Sequence, residues 1–234
     1  MSQPDQKACP VLARQNEGGL ELLAFRHPFA GTQLVKGTIQ EDERPQDAAV
    51  RELLEESGIA AKGAPLSLGT SNGIVQRETW HFYLFPCQPL PDNWTHHCLD
   101  DGGHDFKFFW QPAEEYLEGD WPAPFIRALR FAASKVEKLS VSQKNQYCEV
   151  QHPEIAALIL KLLAKQTDDR PMDPTEVARS IAGKDETKWR LLMPNIRTEA
   201  IKLALNGKIQ VLRKGKPVSG ANFKGLYKIG ALSE

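Results

Sequence analysis

The stretch Gly37–Ile59, "GTIQEDERPQDAAVRELLEESGI", carries three glutamates, Glu52, Glu55 and Glu56, at helical spacing. Pro45 suits a first helical turn and Gly58 the position just past a last one, so a helix is expected from about Pro45 to Ser57. Positions i, i+3 and i+4 project from one face, which crowds the three carboxylates. Ala49, Val50, Leu53 and Leu54 are left to form the buried side. Like charges at that spacing repel, and a helix that only had to be solvated has better options. A hard divalent cation, which prefers oxygen ligands, removes the conflict. Mg2+ or Mn2+ held there would join the carboxylates to the oxygens of a phosphate chain. Gly37 is expected to end a strand at a loop entrance with its carbonyl facing the same ion. Arg51 is expected to anchor that loop by pairing with Glu43 or another acid.

The spacing says more than the charges do. Gly37, five residues, Glu43, seven residues, then "RELLEESGI" matches G-x5-E-x7-R-E-U-x-E-E-x-G-U at every defined position. That pattern is the signature of the Nudix hydrolases, and residues from about 1 to 140 resemble a Nudix domain. Around it, "PVLAR" and "LELLAFRH" flank a Gly18-Gly19 turn, and "PLSLGTSNG", "TWHFYLFPC" and "DFKFFWQP" read as further strands. "APFIRALRFAASKVEKL" reads as a second amphipathic helix. Strands on both sides of a helix predict a mixed sheet packed against helices, which agrees with the α/β/α sandwich of that family.

The resemblance implies a Mg2+-dependent (or Mn2+-dependent) pyrophosphohydrolase that cleaves a nucleoside diphosphate linked to another group, X. Water attacks phosphorus, ions neutralise the oxyanion charge, and a carboxylate takes the water's proton. Carried over to this chain, the metal set is Gly37, Glu52, Glu55 and Glu56, with the base among the three glutamates. Arg51 joins the catalytic group as a support of the loop–helix geometry, together with Glu43. Lys36, in "LVKG", is similar to the entrance of diadenosine and diphosphoinositol polyphosphate hydrolases, with Val35 where a proline is usual. Lys36 and Arg26 are thus the candidate substrate-binding cations, with His27 and Arg77 at the pocket border. Trp80 or Phe82 would stack a base if either faced that pocket; an aromatic on a sheet is more commonly core. No selectivity signal for ADP-ribose, coenzyme A or NADH appears.

Composition sets the remaining bounds. The chain has 234 residues, 41% hydrophobic and 25% charged, with a formal net charge of −1. No apolar run reaches the eighteen or so residues of a membrane span, and no secretory signal is visible, so a cytoplasmic protein is expected. Four scattered cysteines without a C-x-x-C pair read as reduced thiols. "THHCLDDGGHD" offers His96, His97, Cys98, Asp101 and His104, but its spacing matches no closed tetrahedral site, and a loop shaping substrate access is expected instead.

Charge divides the chain. Residues 152–234 carry 15 Lys+Arg against 9 Asp+Glu, a balance of +6, and residues 1–151 carry 14 against 21, or −7. The expected organisation is a hydrolase domain over 1–142, a polar connector over 143–151 and a second domain over 152–234. In the last, "PEIAALILKLLAKQ", "DPTEVARSIAG" and "PNIRTEAIKLALNG" read as helices, the second with an Asp173/Glu176 capping box and the third started by Pro194. Two β-rich runs around Lys214-Gly215-Lys216 follow, and the whole resembles a winged-helix-like α+β domain of bacterial proteins. Its Arg190, Arg197, Lys202, Arg213, Lys214 and Lys216 would meet nucleic-acid phosphates if the third helix and wing bind DNA. The plainer reading of that face is an appendage or a dimerisation module giving a homodimer. The two halves together allow a second function, a transcriptional regulator in which a Nudix-like domain senses a nucleotide. Complete box glutamates favour the enzyme.

Overall fold

The computed structural model describes residues 4–16, 18–86, 88–99, 103–114, 117, 120–150, 152–166, 170–218, 223 and 225–232. The chain divides into two compact units, 1–88 with 92–150 and 89–91 with 151–234.

In the first unit the strands are β1 (Asp5–Val11), β2 (Ala13–Asn16), β3 (Gly19–His27), β4 (Gly31–Gln33) and β5 (Gly37–Thr38). Helix α1 (Pro45–Ser57) follows, then β6 (Leu66–Ser71), β7 (Glu78–Leu84), β8 (Asn93–Cys98) and β9 (His104–Pro112). Helices α2 (Ala123–Glu137) and α3 (Val141–Tyr147) and strand β10 (Cys148–Val150) complete the unit. Two mixed sheets result. One runs β5-β1-β7-β6, with β1 and β7 parallel, and the other β10-β2-β3-β9-β8, with β2 and β10 parallel. Helix α2 buries Ala128, Leu129, Ala132 and Val136 in a core shared with Leu22, Trp80, Phe82 and Leu84. Trp80 and Phe82 are therefore core residues, 2% and 0% exposed.

Helix α1 has the expected bounds, and Gly58 closes it at φ 74°, a left-handed conformation that glycine adopts without a Cβ penalty. Its buried face is rotated from the expected one. Ala48, Ala49, Glu52 and Leu53 are buried, whereas Val50 and Leu54 are 36% and 52% exposed. The rotation turns Glu52 inward, away from water.

Three further elements differ from expectation. Gly37 begins the short β5, opposite Ala8 of β1, rather than ending a strand. The "THHC" run lies on β8, paired with β9 from Asn93 to Cys98, rather than in a loop; Asp100, Asp101 and Gly102 lie outside the described residues. The polar stretch 143–151 holds the end of α3 and strand β10, which pairs with Ala13–Gln15. A capping box of Ser140 and Gln143 starts α3, which explains why a polar segment without apolar period is helical.

The second unit contains α4 (Pro153–Lys165), α5 (Pro174–Ala182), α6 (Glu186–Leu205), β11 (Gln210–Arg213), β12 (Lys216–Pro217) and β13 (Lys228–Gly230). It is α+β: three helices share a core of Ile155, Ile159, Val177, Ile196 and Ala200 with Val211 and Ile229 of the sheet β12-β11-β13. The Asp173 cap and its Glu176 partner are both formed. Helix α6 starts at Glu186, where Asp185 accepts from the Thr187 and Lys188 amides, so Pro194 sits inside the helix. A proline there has no amide to offer the carbonyl of Arg190. Lys214 and Gly215 turn the β11–β12 hairpin at φ 50° and 75°. Among the described residues no helix is long and apolar enough to cross a membrane.

Candidate active site

Arg51 organises the charged face of α1. Its Nε and Nη2 donate to the two oxygens of Glu43, both at 2.9 Å. Nη1 donates to Glu52 at 2.6 Å and to Glu55 at 2.8 Å, and Nη2 also donates to the Thr38 carbonyl at 3.0 Å. A planar fork with five donors satisfies this geometry; a lysine does not. One guanidinium therefore joins the loop (Glu43, Thr38) to two of the three box glutamates, and it offsets the repulsion between them. The hydrogen bonds from Arg51 hold the Glu43 carboxyl below the usual range. Burial pushes Glu52 the opposite way, and the bond from Arg51 only partly offsets it.

Gly37 faces this carboxylate directly. A Cβ at position 37 would lie 1.8 Å from the Glu52 carboxylate carbon and Oε1. The residue at 37 must be glycine for Glu52 to stand where it does. Glu56 accepts from the Lys36 amide at 3.3 Å. Cys9, wholly buried, is pushed far above the usual thiol range, first by burial and then by Glu56. It stays protonated and is no nucleophile.

The far end of α1 is held by β8. Trp94 Nε1 donates to the Ser57 carbonyl at 3.2 Å, and His96 Nε2 pairs with the Glu55 carbonyl at 3.1 Å. Trp94 also stacks on Phe108 at 4.9 Å. His97 points to the other face of the strand and pairs with Asp105 at 2.7 Å. The histidines of "THHC" are thus structural, and no three His, Cys, Asp or Glu side chains converge on one point among the described residues.

A cavity of about 500 Å³ opens over this arrangement, lined by Lys36, Gly37, Thr38, Arg51, Glu52 and Glu56. Phe25, His27, Ala30, Gln33, Gln40, Cys98 and Phe106 complete the wall. Of the residues expected from sequence, Lys36, Gly37, Arg51, Glu52 and Glu56 meet here. Glu55 stands on the flank, 40% exposed at its side chain, tied to Arg51. Arg26 is not in this wall: Phe25 and His27 alternate inward along β3, so Arg26 points away, over the Phe109 ring at 5.0 Å and into a separate cavity beside Trp94 and Lys107. Phe25, Gln33 and Gln40 were not foreseen; alternation along β3 was the signal that could have found Phe25.

The site's chemistry is that of hard oxygen donors beside one lysine. Glu52, Glu55 and Glu56 are the carboxylates a divalent ion takes, and Gly37 leaves open the space that a Cβ would fill. The donor chemistry suits such an ion, but with Arg51 holding Glu52 and Glu55 the three carboxylates are not gathered on one point among the described residues.

A model described as "NUDIX domain" matches residues 4–129, and one described as "Protein of unknown function (DUF3253)" matches 152–231. An RNA pyrophosphohydrolase of Bartonella tribocorum is 33% identical over 91 residues, 36% of this chain and 47% of that protein. The chain thus spans about half the length of that curated relative. Among solved structures, the NUDIX domain of Shewanella oneidensis NrtR complexed with ADP ribose covers 58% of this chain and 90% of its own at 17% identity, TM-score 0.42. A mutT/nudix family protein from Listeria innocua covers 59% and 97% at 16% identity, TM-score 0.43. With more than half its length matched by the domain model, the chain belongs to the Nudix family.

Proposed function

We propose that this chain is a metal-dependent pyrophosphohydrolase that cleaves a nucleoside diphosphate linked to X, of the nucleotide or dinucleoside polyphosphate class, by water attack on phosphorus. The observation that carries the reading is the shared cavity: Glu52, Glu56, Lys36 and the Cβ-free Gly37 line one wall. Glu52, Glu55, Glu56 and the Gly37 carbonyl would hold Mg2+ or Mn2+, which would neutralise phosphate oxygens and make a bound water more acidic. The chain's own residues do the rest. One of the three carboxylates accepts the proton of the attacking water. Lys36 meets a distal phosphate as a point charge. Arg51, fixed by Glu43 and Thr38, keeps the loop and the helix in register. The name of the Bartonella relative adds RNA 5′-pyrophosphate to the substrates to be tried.

The test is turnover on a panel of nucleoside triphosphates, dinucleoside polyphosphates, ADP-ribose and 5′-triphosphorylated RNA with Mg2+. The wild type is expected to release product, and Glu56→Gln to lose at least about a hundredfold in turnover while staying folded. No turnover from either protein, together with salt-sensitive DNA binding, would replace the hydrolase by a nucleotide-sensing regulator.

A further inference from the structure

The second unit holds the larger cavity, about 1090 Å³, between the hairpin, β13, α6 and the start of α5. Its volume is that of a site for an organic molecule rather than for a single ion. Five cations line it, Arg190, Arg197, Arg213, Lys214 and Lys228, against one carboxylate, Asp173. Two of the five are already paired, Arg190 with Glu186 at 2.6 Å and Lys228 with Asp173 at 3.1 Å. Arg213 and Lys214 have no acidic partner among the described residues. Arg197 bonds the Phe223 carbonyl and lies over the Phe223 and Tyr227 rings, 3.9 and 5.4 Å from their centroids. That leaves three positive charges over one opening, beside the apolar surfaces of Met193, Pro194 and Leu226.

The wall also contains a sealed hydroxyl, one with no surface open to solvent or to the cavity. Tyr227 belongs to the same wall and is only 8% exposed, and its hydroxyl has no hydrogen-bond partner among the described residues. A buried hydroxyl left without a partner is costly, and folds rarely leave one so. Burial pushes this phenol up to about 12, so it remains a donor at neutral pH. Two cations without an acidic partner among the described residues and a stacked arginine are the groups a phosphate collects.

We propose that this cavity is a binding site for a small organic phosphate with a ring-shaped or apolar body. The phosphate lies against Arg213 and Lys214, and the body lies along Met193, Pro194 and Leu226. The same chemistry is offered by a free mononucleotide or by the terminal nucleotide of a strand, and the test separates them. The site stands apart from the hydrolase reading, because its ligand needs no pyrophosphate.

The experiment is calorimetric titration of the full chain in EDTA with phenyl phosphate, ribose 5-phosphate, AMP, CMP and an eight-nucleotide oligoadenylate with a 5′-phosphate. Adenosine and inorganic phosphate serve as the two half-ligands. At least one monophosphate is expected to bind more tightly than either half-ligand. Arg213→Ala and Lys214→Asn should each weaken it about tenfold or more. Asparagine is chosen at 214 because φ there is 50°. Equal affinity for monophosphate and oligonucleotide identifies a strand end, and preference for the monophosphate a free ligand; both support the site. Monophosphate binding that survives both cavity variants overturns it, as does binding only of the oligonucleotide, which would show a nucleic-acid backbone surface. No binding by any probe overturns it as well. Thermal melts guard the result. Arg213→Ala and Lys214→Asn change exposed side chains and should melt within a few degrees of the wild type, so a lost signal with an unchanged melt is lost binding.

Discussion

Replacing Gly37 by alanine tests the site through one atom. The added Cβ would lie 1.8 Å from the Glu52 carboxylate, and ordinary contact begins at 3.4 Å, so the carboxylate must retreat by the difference, 1.6 Å. The backbone is no obstacle, because Gly37 is not among the glycines at positive φ. The retreating group is 6% exposed and held by Arg51 at 2.6 Å, so it cannot swing freely into water. A misplacement of about 1 Å costs on the order of a hundredfold in rate, so Gly37→Ala should lose at least that much turnover. In barrier terms this is about 2.7 kcal/mol. The assay is Mg2+-dependent release of product from the best substrate of the panel, with circular dichroism to show that the fold survives. Turnover within about threefold of the wild type would refute the reasoning, because the Glu52 position would then be irrelevant to the chemistry.

Three further outcomes are expected. Arg51→Ala leaves Glu52 buried without its counter-charge and should lower stability by about 3 kcal/mol, read by denaturant melts; an unchanged midpoint would show that the guanidinium is not what holds the three acids. At Asp173, burial raises the carboxyl's pKa, but bonds from Thr175 and Lys228 outweigh it, and the net pKa is lowered from 3.8. Its contribution is thus present above pH 3.8 and lost as pH falls through the lower folded value. Asp173→Ala should therefore cost about 1 kcal/mol near neutral pH, with the gap to wild type closing below pH 3.8; a gap independent of pH would refute this. Ending the chain after Val150 should leave a folded first unit, whereas ending it at Ser142 removes β10 and most of α3 and should lower the melting temperature. Equal melting would show that β10 adds nothing.

What the amino-acid order revealed was local. Pro45, Gly58 and the glutamate spacing fix α1 and its chemistry within one short segment, and Asp173 with Glu176 fixes the start of α5. The rest needed partners distant in the chain. Strand β8 reads "NWTHHC", and its alternation carries tryptophan, histidine and cysteine instead of aliphatics, so no apolar period is visible. Pro194 looks like a helix start until Asp185 supplies an earlier cap and the core of the unit carries the helix through it. The rotation of α1 is set by packing against β1 and β8, and it decides that Glu52, not Leu54, is the buried residue. Nor does spacing reveal that one guanidinium serves three acids at once.

The pairing of β10 with β2 has a consequence in time. Ala13 meets Cys148, residues that a ribosome working at 5–20 residues per second joins to the chain on the order of ten seconds apart. Throughout that interval the outer rim of β2 is open, and an open rim invites other nascent chains. The sheet of the first unit therefore cannot close on that side until its last strand is made.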